Sequence, residues 1–496
     1  MSRKIPIFYS ALLLTGVNLL LRFIGTSFQV FLSGRIGAEG IGLLQLVLSV
    51  GSMTLVAGMA GIRTATMYLT AEEIGKRKPQ NVTWVLSACI LYSILFSSAI
   101  AAALYIFAPF LAETWIGNPN VVSCVRLFAV FLPINCLTGV MVGYFTGAKR
   151  IGTLAAVEVA EQLLSMICTV SFLSGWAGHD PVRACQSVVI GSCVGTCLTL
   201  FSLVLLRLME KPVTGPRIPT ANRLLHTALP LALADDLRTG ISTLENLMVP
   251  KRLALFPGTS SPLAAFGTVC GMVFPVLMFP TSILYGLTEL LVPELAQTRA
   301  SGHDKRIEHL VTKSLRVALM YGAICGGILF LCAEELSLSL YKSYDAGRYL
   351  RWFAPLAVML YCDIVTDAMI KGMGQQKRSV LYNIITNTMD VTFLYFFLPK
   401  YGIAGYFFSF LITHAINFWL SIRCLLKTAC CSYPVRVPMT TLFSAAAAVW
   451  ICSFVAPPLL RAIAYVLILI SLLVLTGIVK REDLRWLKGL VAKRTG

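Results

Sequence analysis

Charge is scarce in this chain. Only 13% of its 496 residues are Asp, Glu, Lys or Arg, about half the share of an ordinary soluble domain, while 57% are hydrophobic. Too few polar residues remain to solvate the surface of a set of soluble domains, which leaves an integral membrane protein. Acid is the scarcer sign: 23 Asp and Glu stand against 41 Lys and Arg, a formal net charge of +18. In a soluble chain that surplus points to nucleic acid. Here the cations sit between apolar runs, where they set topology, and nucleic acid drops out as a partner.

Signatures of catalysis and of cofactors are missing too. No G-x-x-x-x-G-K-[ST] loop occurs, which argues against ATP use by this chain. The nearest imitation, Gly372-Met-Gly374-Gln-Gln-Lys377-Arg378, is a short turn between spans with no strand before it. The five histidines show no metal-ligand spacing. Fifteen cysteines are scattered singly, with no C-x-x-C, and read as small packing residues. Asn81-Val-Thr83 matches a glycosylation acceptor but falls on the expected cytoplasmic side. The expectation is therefore a non-enzyme without cofactor or metal.

Long apolar runs are what the chain does have. Windows of about 20 residues, enough to cross about 30 Å of hydrocarbon, fall near 5–32, 40–70, 82–108, 121–147, 152–174, 184–207, 223–250, 264–296, 314–333, 349–370, 379–398, 403–425, 439–456 and 460–479. The fold class expected is an all-α integral membrane protein with about 14 transmembrane helices. The windows 40–70 and 264–296 are long enough to tilt or bend. With the N-terminus inside, 28 Lys and Arg lie on the cytoplasmic side and nine outside, an excess that supports cytoplasmic termini. The first run opens on Arg3 and Lys4 but is long and has no clear cleavage site, so it reads as a retained span.

The chain also repeats itself. An offset of 216 lays Leu21-Arg22 on Leu237-Arg238, Gln29 on Glu245 and Arg35 on Lys251; an offset of 228 lays Gln162 on Asp390. Six spans per repeat is even, so the halves run parallel, about an axis along the membrane normal. The expected organisation is a lobe at 1–217, a second at 218–435, and two C-terminal helices with a basic tail at 436–496.

A sparse polar set interrupts the spans. Arg22 lies within span 1 and Arg63 within span 2. A guanidinium near the bilayer interior costs at least about 2.5–3.5 kcal/mol, so such residues face a cavity or a partner. Span 7 carries Asp235, Asp236, Arg238 and Glu245; Asp235 and Arg238 are three apart, the spacing of an internal ion pair. Asp363 and Asp367 share one face of span 10, and Asp390 lies in span 11. Guanidinium groups bind phosphate oxygens bidentately. Arg22, Arg238 and Arg63 are accordingly the candidate substrate-binding residues, for an anion with an oily tail. Asp235, Asp236, Glu245, Asp363, Asp367 and Asp390 are candidates for coupling or gating.

Two parallel six-helix halves, two further helices, the run LLLRFIGTSFQVFLSGRIGAEGIGLLQL and the TGAKR loop ending at Arg150 resemble the MATE/polysaccharide-flippase (MOP) superfamily. Within it the chain looks like the stage V sporulation protein B and lipid-linked peptidoglycan precursor flippase branch. The resemblance implies alternating access of two lobes and arginine-dependent handling of a lipid-linked sugar. Arg22 matches the mid-membrane arginine of the first helix in the lipid II flippases, whereas Phe28 stands where those proteins have a second arginine. The implied function is a flippase for an undecaprenyl-pyrophosphate-linked oligosaccharide or peptidoglycan precursor. It would act as a monomer in the bacterial cytoplasmic membrane, with the lipid-linked sugar, membrane lipids and cell-wall synthesis proteins as partners. The alternative is a multidrug or cation antiporter driven by protons or sodium.

Overall fold

The computed structural model describes residues 7–76, 79–177, 180–209 and 221–478. The basic residues of the 479–496 tail and most of the 208–222 boundary lie outside the described residues. Within them the chain is helical nearly throughout, without strands. In order the helices are α1 (Ile7–Met59), α2 (Ile62–Gly75), α3 (Pro79–Phe110), α4 (Val122–Gly147), α5 (Ile151–Phe172), α6 (Pro181–Leu208), α7 (Ala221–Leu253), α8 (Pro262–Thr268) and α9 (Phe274–Met278). They continue as α10 (Thr281–Ala300), α11 (Asp304–Leu331), α12 (Ala333–Tyr341), α13 (Tyr344–Phe353), α14 (Ala357–Gly372), α15 (Gln376–Tyr401), α16 (Ile403–Thr428), α17 (Arg436–Cys452) and α18 (Pro458–Leu475).

Nine runs of the described residues are long and apolar enough to cross a membrane, and the bent pair Pro262–Met278 with Thr281–Arg299 makes a tenth. Four more complete the fourteen expected. The first run, Leu19–Gly75, holds two crossings; α7 and α15 are interrupted by polar residues; and α17, at 17 residues, is slightly short. Both long windows do bend. The first crossing ends at Gly37, whose φ of 68° and ψ of −179° suit only glycine. The second breaks at Ala60 and Gly61, both with positive φ, before α2 begins. The eighth turns by 55° at Pro280, which lacks the N–H a continuous helix needs.

The chain divides into two compact units, each with its own interior. Unit 1 comprises Met1–Gly271 and Asn383–Ser409; unit 2 comprises Met272–Tyr382 and Phe410–Gly496. In unit 1, α2, α3, α4 and α7 meet around Ile62, Cys89, Phe145 and Ala228. Small residues set how closely its helices approach. A β-carbon on Gly191 of α6 would lie 2.0 Å from Thr169 Oγ1 of α5, so a side chain there would force the pair apart. In unit 2 the glycines of Gly322-x-x-x-Gly326 press α11 against the start of α14 and the turn before it. The last two helices dock onto the same α11: Tyr465 of α18 packs over Gly327 and donates to the Ala323 carbonyl at 2.8 Å.

Between the ninth and tenth crossings the sequence reading expects only a loop. The structure has a short helix there, α12, and α13 brings the tenth crossing forward to Tyr344; ion pairs of Glu334 with Arg351 (3.1 Å) and Glu335 with Arg461 (3.0 Å) hold this region. Apolar residues on one face alone make too short a run to register as a span. Cysteine behaves as packing: all 15 are free thiols. Asn81, whose sequon was discounted, is buried and donates from Nδ2 to Glu73 at 2.8 Å.

Candidate coupling and substrate site

In unit 1 the break at Gly37 turns α1 against α8, and three glycines allow the contact. A β-carbon on Gly267 would lie 2.0 Å from the Ala38 carbonyl oxygen, one on Gly42 would lie 2.3 Å from that of Leu263, and one on Gly271 would meet Ile41 at 2.0 Å. The turn that follows α8, Val269–Val273, is wound as a π-helix. It presents the Gly271 carbonyl to Gln29 Nε2 at 3.2 Å and Cys270 Sγ to the Tyr406 hydroxyl at 3.9 Å. Thr243 and Asn246 of α7 bond to Ser49 of α1, at 3.2 and 3.0 Å, and so fix the register of this turn of α7.

That register brings Glu245 of α7 into hydrogen-bonding contact with buried Asp390 of α15. Asp390 Oδ1 also accepts from Ser409 Oγ of α16 at 2.5 Å. Two carboxyl groups in contact repel unless a proton or a cation lies between them. The contact therefore requires that a proton or a cation be shared between the two carboxyl groups. Its two acids lie 145 residues apart and the sequence reading did not pair them; Tyr406, Ser409 and Cys270, which complete it, gave no signal among apolar neighbours.

The other candidates are distributed more widely. Arg22 is half-buried on α1 and is partnered. Arg63, just past the Ala60–Gly61 break, is exposed and lies within electrostatic reach of Glu158 on α5. Arg238 and Asp235 on α7 are both exposed, and the ion pair their spacing allows does not form: neither lies within 4.0 Å of an opposite charge among the described residues. Asp236 Oδ1 is sealed from solvent without a hydrogen-bond partner among the described residues.

Unit 2 separates its two candidate aspartates. Asp367 pairs with Lys371 at 2.6 Å and accepts from the Ser379 hydroxyl, so its charge is matched at the end of α14. Asp363, one turn earlier, accepts from Asn417 Nδ2 of α16 at 2.9 Å, and its Oδ1 has no hydrogen-bond partner among the described residues. His414, three residues before Asn417, packs against Phe410 with 4.0 Å between ring centroids and the planes tilted by 47°.

Known proteins match this architecture. Residues 14–177 and 253–396 match the MatE family. Stage V sporulation protein B of Bacillus subtilis is 23% identical over 79% of this chain and 78% of its own. The lipid II flippase MurJ of the same organism is 23% identical over 73% of this chain and 72% of its own. Among solved structures, a lipid II flippase MurJ in an inward closed conformation superposes with a TM-score of 0.69 at 15% identity, covering 93% of this chain and 98% of that one. An inward-facing multidrug-resistance MATE transporter gives 0.68 at 16% identity, over 86% and 98%. At those identities the structures show the fold. The chain belongs to the MatE family and is a multi-span membrane protein.

Proposed function

We propose that this transporter flips an undecaprenyl-pyrophosphate-linked glycan or peptidoglycan precursor across the cytoplasmic membrane, its lobes at 1–217 and 218–435 alternating in access. Arg22, Arg63 and Arg238 hold the pyrophosphate. The Glu245–Asp390 pair carries the coupling cation or proton, and Asp235, Asp236 and Asp363 adjust the field around the path. Asp367, matched by Lys371, acts only as a gate at the end of α14. One observation carries the reading. Arg63 and Arg238 stand exposed within spanning helices, with no carboxylate within 4.0 Å among the described residues. A binding site for cationic drugs would present the opposite charge, whereas two guanidinium groups left open suit an anionic headgroup whose lipid tail stays in the bilayer. The similarity to a lipid II flippase over 73% of the chain supports the same class of substrate.

The test is translocation of a labelled lipid-linked peptidoglycan precursor in vesicles containing the purified protein. Arg22→Ala and Arg238→Ala are each expected to slow it about tenfold or more, the worth of one charge-assisted contact to phosphate. Wild-type rates in both variants, each folded and inserted, would end this reading. Dye efflux abolished by Asp363→Asn would establish the antiporter instead.

A further inference from the structure

α7 closes on two cations, Lys251 and Arg252. Beside them lies a groove of about 520 Å³ within unit 1, walled by Met53 of α1, by Leu244 and Met248 of α7, by Trp115 after α3 and by Tyr395 of α15. Gly240 lines its far end. Twelve residues separate Gly240 from Arg252, so the groove follows α7 for about 18 Å at the helical rise. Its walls are almost wholly apolar, and its charge is gathered at one end.

The two cations are held but not neutralised. Lys251 Nζ donates to the Thr114 carbonyl oxygen, an uncharged acceptor. The Arg252 guanidinium carbon lies 3.2 Å from the Tyr395 ring centroid, so one face is stacked while its edge N–H groups have no acceptor among the described residues. Glu113, the neighbouring acid in sequence, makes no ion pair with either among the described residues.

We propose that this groove binds an anionic phospholipid, its phosphate on Lys251 and Arg252 and one acyl chain laid along Leu244 and Met248 toward Gly240. Two positive charges over a long apolar trough match a phosphate carrying a hydrocarbon chain. An inorganic anion would leave the trough empty, and apart from the two cations the lining offers only the Tyr395 hydroxyl and the Trp115 indole N–H as polar side-chain groups, few for a glycan. The chain of the lipid lies against residues flanking Glu245, so its occupancy braces the helix that carries the coupling acid. The inference stands on this groove alone and is independent of the substrate reading.

Trp115 provides the readout. The full-length protein is placed in nanodiscs containing phosphatidylglycerol or phosphatidylcholine with brominated acyl chains, and the quenching lost on Trp115→Phe is assigned to Trp115. Phosphatidylglycerol is expected to be preferred by about tenfold, from two cations acting on one phosphate. Lys251→Gln with Arg252→Gln should bring the preference to within about twofold, and Gly240→Leu, which fills the far end, should weaken quenching by both lipids. Equal quenching by the two lipids in the wild-type protein overturns the proposal, whether or not the double variant folds. A preference that survives the double substitution, or that millimolar inorganic phosphate abolishes, overturns it as well.

Discussion

Among single residues, Glu245 and Asp390 are the pair whose chemistry depends most on contact. Apart, each is an acid in a helix; together, with Ser409 donating to Asp390, they require a shared positive charge. Glu245→Gln removes that requirement while keeping the shape and a hydrogen bond. The expected outcome is a transporter whose rate no longer responds to an imposed proton or sodium gradient, measured in vesicles with the gradient on and off. Undiminished gradient dependence in Glu245→Gln would move coupling elsewhere, and Asp363, with one carboxylate oxygen unpartnered among the described residues, would be examined next. Sequence alone singled out both acids because charge in an apolar run is conspicuous. It did not join them, because their contact depends on how α7 and α15 pack, and a separation of 145 residues carries no periodicity.

The helices bend where the backbone chemistry changes, and these bends separate conformational from steric roles of glycine. Gly37 has nothing within 4 Å of where a β-carbon would sit, yet its φ of 68° is one that L-residues avoid. Gly37→Ala should therefore destabilise by about 1–3 kcal/mol through backbone strain alone. Gly25, in the same helix with helical geometry and equally open space, should accept alanine neutrally or gain up to about 1 kcal/mol. Thermal unfolding in detergent compares the two, and equal melting temperatures would mean that α1 straightens at Gly37 without loss. Both bending windows were legible from their excess length, and the stop at Pro280 follows from a missing donor. α12 was not legible, since it buries one face and at nine residues is too short to register as a span.

Over the whole molecule, charge is spent sparingly and placed at helix ends. In unit 1, Arg223 in the first turn of α7 bonds Glu73 Oε1 and Glu72 Oε2, both at 2.8 Å, while Asn81 of α3 donates to Glu73 and Lys76 pairs with Glu72. One guanidinium thus ties α7 to α2, and through Glu73 to α3. Arg223→Ala leaves buried Glu73 with only Asn81 and Lys76 to answer its charge, and should cost about 1–3 kcal/mol in thermal unfolding. Adding Glu73→Gln should recover part of that loss, the non-additivity expected of contacting groups; strictly additive losses would show that the network does not act as a unit.

The sequence by itself determined the solvent, the helical class, the fourteen crossings and the presence of cations and acids at membrane depth. Each of these follows from composition and local pattern, since hydrocarbon tolerates only runs that satisfy their own backbone and makes every embedded charge costly. Only the tertiary structure decided which of those charges meet. It paired Glu245 with Asp390, left Arg238 apart from Asp235, and set Lys251 and Arg252 at the head of an apolar groove. Gly42, Gly267 and Gly271 permit the close approach of α1 and α8 beside the Glu245–Asp390 contact, whose partners come from α7 and α15. Such packing is a property of surfaces brought together by folding, and no single stretch of the chain encodes it.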